Sequence, residues 1–446
     1  MQNPITTDVL IIGGGWAGLS AAIKLTDNGK SVCLLEAGKE LGGRARKVQY
    51  KNLSIDNGTH IMIGAYNETL KLISKVHAHS KYKISDLLER QSLNLHYKHL
   101  NDGIISIFSA PLTAPFNILI GFLFAKGLSL KEKLLILKVG LKIKLNLIKL
   151  AGDTDLLSFL KLHQQTNNII TCIWEPLCLA IMNTSIEKTS TEIFLSVLKD
   201  AFFSSRTASD LLLFKKNLTE TFPNPAKNYI EQRNGKVLLN HRVNSIKQEG
   251  AFYSAHSKEK VYQAKTVIIA TAPNASIKLL QSLNNISGID SVINHLSQLT
   301  FQPICTVYLQ FPSTIKVERS MQGFLGTTSQ WLFDKSSINQ AGFVSVIISS
   351  DGEHTGWENS QLIDKVSHEL TQLYPDWPQP IDAFVIREKR ATFTASVNIN
   401  RIRPSNRTDM TGIWLAGDFT NTHYPATLEG AVRSGLQCAE TILLEQ

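Results

Sequence analysis

The spacing of apolar residues changes several times along the chain. Residues 8–12 (DVLII) are a short apolar, β-branched run, the mark of a buried strand. Beyond the glycines at 13–15, Leu19, Ala22, Ile23 and Leu25 fall at helical spacing, and Gly29 supplies a C-cap. Residues 31–35 form a second apolar run that ends at Glu36. Strand, helix and strand in about thirty residues predict a βαβ unit. Further on, the pattern predicts helices near 66–80, 155–165 and 188–203, and a helix end at 227–233 closed by Gly235. Strands are expected at 236–239, 242–248 and 267–270. A second sheet is expected from 299–312, 321–333, 343–349 and 382–393, then a last strand at 412–416 and a last helix at 427–444. The fold class read from this is α/β.

Composition narrows the picture. A chain of 446 residues with 43% hydrophobic and 19% charged residues can bury more than one core, and is neither disordered nor fibrous. Cys33, Cys172, Cys178, Cys305 and Cys438 form no CxxC, and the histidines show no HExxH. No metal site or disulfide framework is expected, and a reducing, cytoplasmic setting is. Residues 1–7 are short and polar, so the first apolar run reads as a strand and not as a signal peptide.

Gly13, Gly15 and Gly18 spell GxGxxG between a strand and a helix. Gly13 makes the turn, Gly15 lets backbone approach a pyrophosphate, and Gly18 permits close helix–strand packing. The helix start offers free N–H groups and partial positive charge to phosphate. Glu36, at the end of the next strand, can accept from both ribose hydroxyls and would repel a 2′-phosphate, which disfavours NADP. Gly42, Gly43 and Arg44 follow: two glycines that let a loop pass close to the pyrophosphate, and a fixed cation for phosphate or flavin oxygens. This selects FAD over NAD. A second GxGxxG is not found, so an external electron donor is expected.

The opening (IIGGGWAGLSAA, LLEA, LGGRAR) and the closing WLAGDFTNTHYPATLEGAVRSGLQCA resemble the flavin-containing amine oxidase and phytoene desaturase superfamily. Asp56-Asn57-Gly58-Thr59-His60, Gly64-Ala65-Tyr66, Asn183-Thr184, residues 194–210, Arg390-Ala391-Thr392-Phe393 and Pro425-Ala426-Thr427 with Glu429-Gly430 resemble, more closely, its hydroxysqualene dehydroxylase family. Thr59 stands where that family's pattern has Gln, and Asn421–Tyr424 replaces a smaller pair. The resemblance implies a discontinuous, Rossmann-type FAD-binding domain from 1–75, 227–285 and 395–446. It implies an α+β substrate domain from 76–226 and 286–394. Motif and resemblance together assign cofactor contacts to Gly13, Gly15, Trp16, Ala17, Gly18, Glu36, Ala37, Gly42, Gly43 and Arg44. They add Gly58, Thr59, His60, Val243, Gly417, Asp418, Ala426, Thr427 and Leu428. Asp418 is expected on the ribitol or pyrophosphate, and the helix start at 425–427 near the flavin N1–C2 carbonyl.

Residues 104–150 are apolar and then lysine-rich: 110–125 carry no charge, and 131–149 alternate Lys with Leu, Ile and Val. Sixteen residues are too few for a span of about 20. The expectation is a helical insertion resting on a membrane surface, lysines toward anionic headgroups, peripheral on the inner face of the cell membrane. Lysines interleaved with aliphatic residues, without a recognition motif, speak against nucleic acid. The resemblance implies a long apolar isoprenoid substrate and reductive removal of the hydroxyl of hydroxysqualene, giving squalene for hopanoid synthesis. A carotenoid-type desaturase and an amine oxidase are the competing FAD chemistries. His60 and His423 are the candidate acids, each against the plainer reading of a hydrogen-bonded structural histidine.

Overall fold

A computed structural model describes residues 4–100, 103–258, 260–283, 288–338 and 340–445. Its first sheet is built on parallel strands. Ile5–Ile12 pairs with Val32–Leu35 on one side and, along its whole length, with Val261–Ile269 on the other. Lys236–Leu238 continues the sheet beyond Val32–Leu35, and Ile413–Leu415 lies beside residues 267–269. An antiparallel extension, Val243–Glu249 and Phe252–Ser257, branches from the start of Val261–Ile269. Strands buried on both faces need continuous apolar runs, and Val9, Leu10, Ile11 and Leu34 are all fully buried.

Helix Trp16–Asp27 covers this sheet and packs against the C-terminal helix Leu428–Glu445. Two glycines permit the layers to close. A Cβ on Gly18 would sit 2.1 Å from the Gly13 carbonyl oxygen, and one on Gly435 would sit 2.1 Å from that of Ala17.

The second sheet runs Asp382–Phe393, Phe301–Gln310, Phe343–Ser349, Trp331–Asp334, Met321–Leu325, Asn94–His99 and Ile104–Phe108 in spatial order. One face, with Cys305, Val307, Leu309, Val344 and Val346, packs on helix Asn359–Leu373 through Leu362, Val366 and Leu370. The period-2 alternation turns Ile304, Thr306, Ile386 and Glu388 to the opposite side.

Two expectations need correction. Residues 321–333 are two antiparallel strands, because the apolar pattern runs on through a turn at Gly326, where φ is +72°. Residues 104–150 are not helical throughout. The β-branched start, Ile104–Phe108, is a strand paired with Asn94–His99. Only Phe116–Leu123 and Leu130–Lys144 are helices of that region, and no helix among the described residues is long and apolar enough to cross a membrane. The five cysteines are free thiols.

Candidate active site

Strand Ile5–Ile12 ends at Gly13, whose φ of +116° and 2.5 Å approach of a virtual Cβ to the Ala270 oxygen exclude any side chain. Gly15 is the N-cap of helix Trp16–Asp27, in extended backbone and without a side-chain cap. The helix-start N–H groups therefore lack an intrahelical acceptor. The loop of Gly42 and Gly43 crosses in front of it. The Gly42 amide donates to the Gly14 carbonyl at 2.8 Å, and a Cβ on Gly43 would lie 3.3 Å from the Gly15 Cα. A Cβ on Gly15 would meet nothing nearer than the Gly43 Cα at 4.0 Å, so it would project into open space. Two loops without side chains thus form a cradle at the start of a helix, the arrangement a pyrophosphate requires.

That cradle lies in a cavity of about 810 Å³. Glu36 lines it and is fixed in place: one carboxylate oxygen accepts from the Gly14 amide and the other from the Gly38 amide, both at 2.7 Å. Each oxygen keeps a second acceptor position for a ribose hydroxyl. Ala37, Trp16 and Ala17 also line the cavity, whereas Gly18 is buried beneath it as a packing residue. Val243 is not among the lining residues; its neighbour Arg242 is.

The C-terminal segment enters from Ile413–Leu415. Asp418 and Arg44, expected to meet the cofactor separately, bond to each other at 2.5 Å, and Arg44 also donates to the Ala391 carbonyl at 2.6 Å. Arg44 therefore ties the glycine loop, the second sheet and the C-terminal segment together. Behind Asp418, buried Arg403 donates to the carbonyls of Asp418, Phe419 and Thr420 and to the Thr422 hydroxyl. Its guanidinium also stacks 4.5 Å over the Phe393 ring. Burial lowers Arg403 to about 10, so it stays cationic at neutral pH. The last helix starts at Leu428, later than expected. Thr427 Oγ1 caps it by accepting from the Gly430 amide at 3.0 Å. Gly417, Asp418, Ala426, Thr427 and Leu428 all line the cavity.

Gly58, Thr59 and His60 line the same cavity from the side of the second sheet, and Thr59 bonds to Ser345 at 2.7 Å. The His60 Nδ1 lies 3.1 Å from the Gly58 carbonyl, which assigns the proton to Nδ1 and leaves Nε2 as an acceptor. Burial pushes His60 down to about 4. The Gly58 carbonyl opposes this, while the charges of Lys335 and Arg44 reinforce it. His60 is therefore neutral at physiological pH and is no ready proton donor. His423 requires a correction. Its side chain is 69% exposed, 4.0 Å from Glu192, and it is not a cavity residue; adjacent Tyr424 takes the buried position instead.

Another part of the cavity wall comes from paired strands: Ile304 stands across from Glu388, and Thr306 across from Ile386. Glu388 and Arg403 had not been singled out from sequence. For Glu388 a signal existed, since strand alternation places it with Phe384 and Ile386. For Arg403 none did, because its partners lie 15 to 19 residues away in an irregular loop.

The chain matches the family model for flavin containing amine oxidoreductase over residues 16–443. It is 25% identical to hydroxysqualene dehydroxylase of Zymomonas mobilis, across 97% of this chain and 98% of that protein. It is 22% identical to the zeta-carotene desaturase of Arabidopsis thaliana, across 97% and 85%. Among solved structures, an oxidoreductase from Methanosarcina mazei superposes with a TM-score of 0.75 at 13% identity, covering 98% of this chain and all of that one. With the glycine cradle and Glu36 suited to a dinucleotide, the full-length match establishes that this chain belongs to the flavin-containing amine oxidoreductase family, as an FAD-dependent oxidoreductase.

Proposed function

We propose that this protein reductively dehydroxylates hydroxysqualene to squalene. The observation that carries the reading is the single cavity that joins the glycine cradle to a wall of Ile304, Thr306, Ile386 and Thr392. An apolar chain can lie on that wall beside the cofactor. End-to-end likeness to hydroxysqualene dehydroxylases supports it. In the division we propose, residues 1–75, 227–285 and 395–446 hold FAD, and 76–226 and 286–394 supply the substrate chamber. Gly13, Gly15, Gly42, Gly43 and Glu36 would hold the diphosphate and ribose, Arg44 and Asp418 the ribityl–phosphate stretch, and Ala426–Leu428 the ring edge. Reduced flavin, when bound, would supply the hydride that replaces the hydroxyl, which would leave as water with a proton from the reduced flavin or solvent. Neutral His60 offers Nε2 as an acceptor at the chamber and brings no competing charge.

Membrane contact belongs to the same reading. Helix Leu130–Lys144 buries Ile136, Val139 and Ile143 yet exposes Leu130, Leu134 and Leu141, with lysines at 131, 133, 138 and 142 along it. Phe116 and Phe124 are more than half exposed nearby. An apolar outer face flanked by cations suits the surface of an anionic bilayer, from which a C30 polyene would be drawn. We place the protein peripherally on the inner face of the cell membrane, with a separate electron donor, in hopanoid synthesis.

The rival reading is a carotenoid-type desaturase, supported by the likeness to desaturases. It differs in requiring oxidised flavin and an electron acceptor. Anaerobic incubation of dithionite-reduced protein with hydroxysqualene, and of oxidised protein with phytoene, followed by product mass analysis, decides between them. Squalene from the first arm is expected. Conversion of phytoene by oxidised protein, with hydroxysqualene untouched, would overturn the proposal.

A further inference from the structure

Four carboxylates line the cavity: Glu36, Glu40, Asp418 and Glu388. Three are engaged. Glu36 holds two backbone amides, Asp418 pairs with Arg44, and Glu40 lies 3.5 Å from Lys47. Among the described residues, Glu388 has two contacts, both long at 3.4 Å, from the Asn57 side-chain amide and the Arg390 backbone amide. No cation stands within 4.0 Å of it among the described residues. Yet it projects from the strand face that carries Ile386, opposite Ile304, where packing alone would favour another aliphatic residue.

We propose that Glu388 is the specificity-determining residue of the chamber, and that it receives the hydroxyl of an alcohol substrate. This rests on the proposed dehydroxylase function and deepens it. When a long lipid fills the cavity, water leaves the carboxylate. A pure hydrocarbon then strands it without a donor, which is costly. A hydroxyl on the chain donates to it and restores what water had supplied. Sites built to bond a hydroxyl reject the analogue that lacks one far more strongly than apolar pockets discriminate a methylene. Glu388 thereby selects an isoprenoid alcohol over a hydrocarbon such as phytoene.

The test uses oxidised holoenzyme, in which no turnover occurs, and follows the bound flavin absorbance during titration with hydroxysqualene, squalene and putrescine in detergent micelles. Wild-type protein is expected to prefer hydroxysqualene over squalene at least tenfold. Glu388→Leu should bring that ratio near unity, and Glu388→Gln, which keeps a weaker acceptor, should fall between. All three proteins should retain FAD equally. An unchanged ratio in Glu388→Leu overturns the inference. So does loss of FAD from both variants, which would assign the carboxylate to the cofactor, or Glu388-dependent binding of putrescine in preference to the alcohol. If the binding ratio behaves as expected but reduced wild-type enzyme does not convert hydroxysqualene, the dehydroxylase reading fails while alcohol recognition stands.

Discussion

Strand Ile5–Ile12 and helix Leu130–Lys144 are both rich in aliphatic side chains, yet solvent meets them in opposite ways. Val9, Leu10 and Ile11 are fully buried, whereas Leu130 is 66% and Leu134 56% exposed. The strand is covered on both faces: Val9 and Ile11 lie in the core under helix Trp16–Asp27, which closes tightly at Gly18 and Gly435, and Leu10 and Ile12 lie in a second core on the other side. The helix is packed on one side, through Leu135, Ile136, Val139 and Ile143. Apolar content therefore fixes neither burial nor role; the number of faces that find a partner does. One region spends its apolar surface on a rigid floor beneath the glycine cradle, and the other leaves it open to solvent.

The floor is where a single methyl-sized change should do most damage. Gly18→Val forces a side chain against the Gly13 carbonyl and should cost more than about 3 kcal/mol, read as loss of soluble protein or a steep fall in Tm. Gly15→Val sharpens the contrast inside the same motif. The new side chain has room and an allowed backbone, so the apoprotein should melt within about 2 °C of wild type and show an unchanged circular dichroism spectrum. FAD affinity should nonetheless fall at least about a hundredfold by equilibrium dialysis, because the cradle is filled. Equal FAD binding by the Gly15 variant would break the cofactor assignment.

On the exposed side, the doubly substituted Leu134→Asp, Leu141→Asp protein should fold as well as wild type. Its partition onto vesicles of anionic phospholipid, measured by co-sedimentation, should drop about tenfold or more. Raising salt should weaken wild-type binding only a few-fold, since screening touches the lysines and leaves the leucines untouched. Vesicle binding indifferent to the leucines would remove this helix from the proposed docking face.

The smallest effect lies in pH slopes. Asp56 is raised to about 6, mainly by burial, and is opposed by the Leu218 amide that it accepts from; His60, four residues on, is lowered to about 4. For Asp56 the folded state holds its proton more tightly than the unfolded chain, so its contribution is present below about pH 4 and is lost as pH rises toward 6. For His60 the folded state holds its proton less tightly, so stability is gained as pH rises from about 4 to 6.5. The two slopes oppose each other over nearly one window. His60→Gln should expose the Asp56 slope, with urea midpoints falling from pH 4 to 6, and Asp56→Asn should show the reverse. Parallel slopes in the two variants would show that at least one of the two groups does not titrate as its surroundings dictate.

Much of the geometry of the glycine cradle was legible because its signals are local. Gly13, Gly15, Gly18 and Glu36 lie within 24 residues, and turn, helix start and acceptor each leave a mark on the sequence. The Arg44–Asp418 pair joins residues 374 apart, and no periodicity encodes it. Arg403 is similar: its donors meet mainly backbone carbonyls, which every residue has, so the identity of those partners carries no signal. His423 misled because a motif names neighbours alike, while only one of His423 and Tyr424 can turn inward. Residues 104–108 were absorbed into a helical insertion because a short apolar run does not by itself distinguish strand from helix.

The parallel pairing of Ile5–Ile12 with residues 262–269 and the late arrival of Ile413–Leu415 bear on how the protein is made. On the ribosome, the first strand waits through some 250 residues of synthesis for its central partner. The segment that carries Gly417 and Asp418 emerges some 400 residues after the first strand. Contacts this distant in sequence close slowly, and an apolar strand left waiting is a hazard for aggregation. If Gly417 and Asp418 complete the cofactor cavity as proposed, FAD loading should wait until that segment has been made and has docked, and cells starved of flavin should accumulate the chain in chaperone-bound or degraded form.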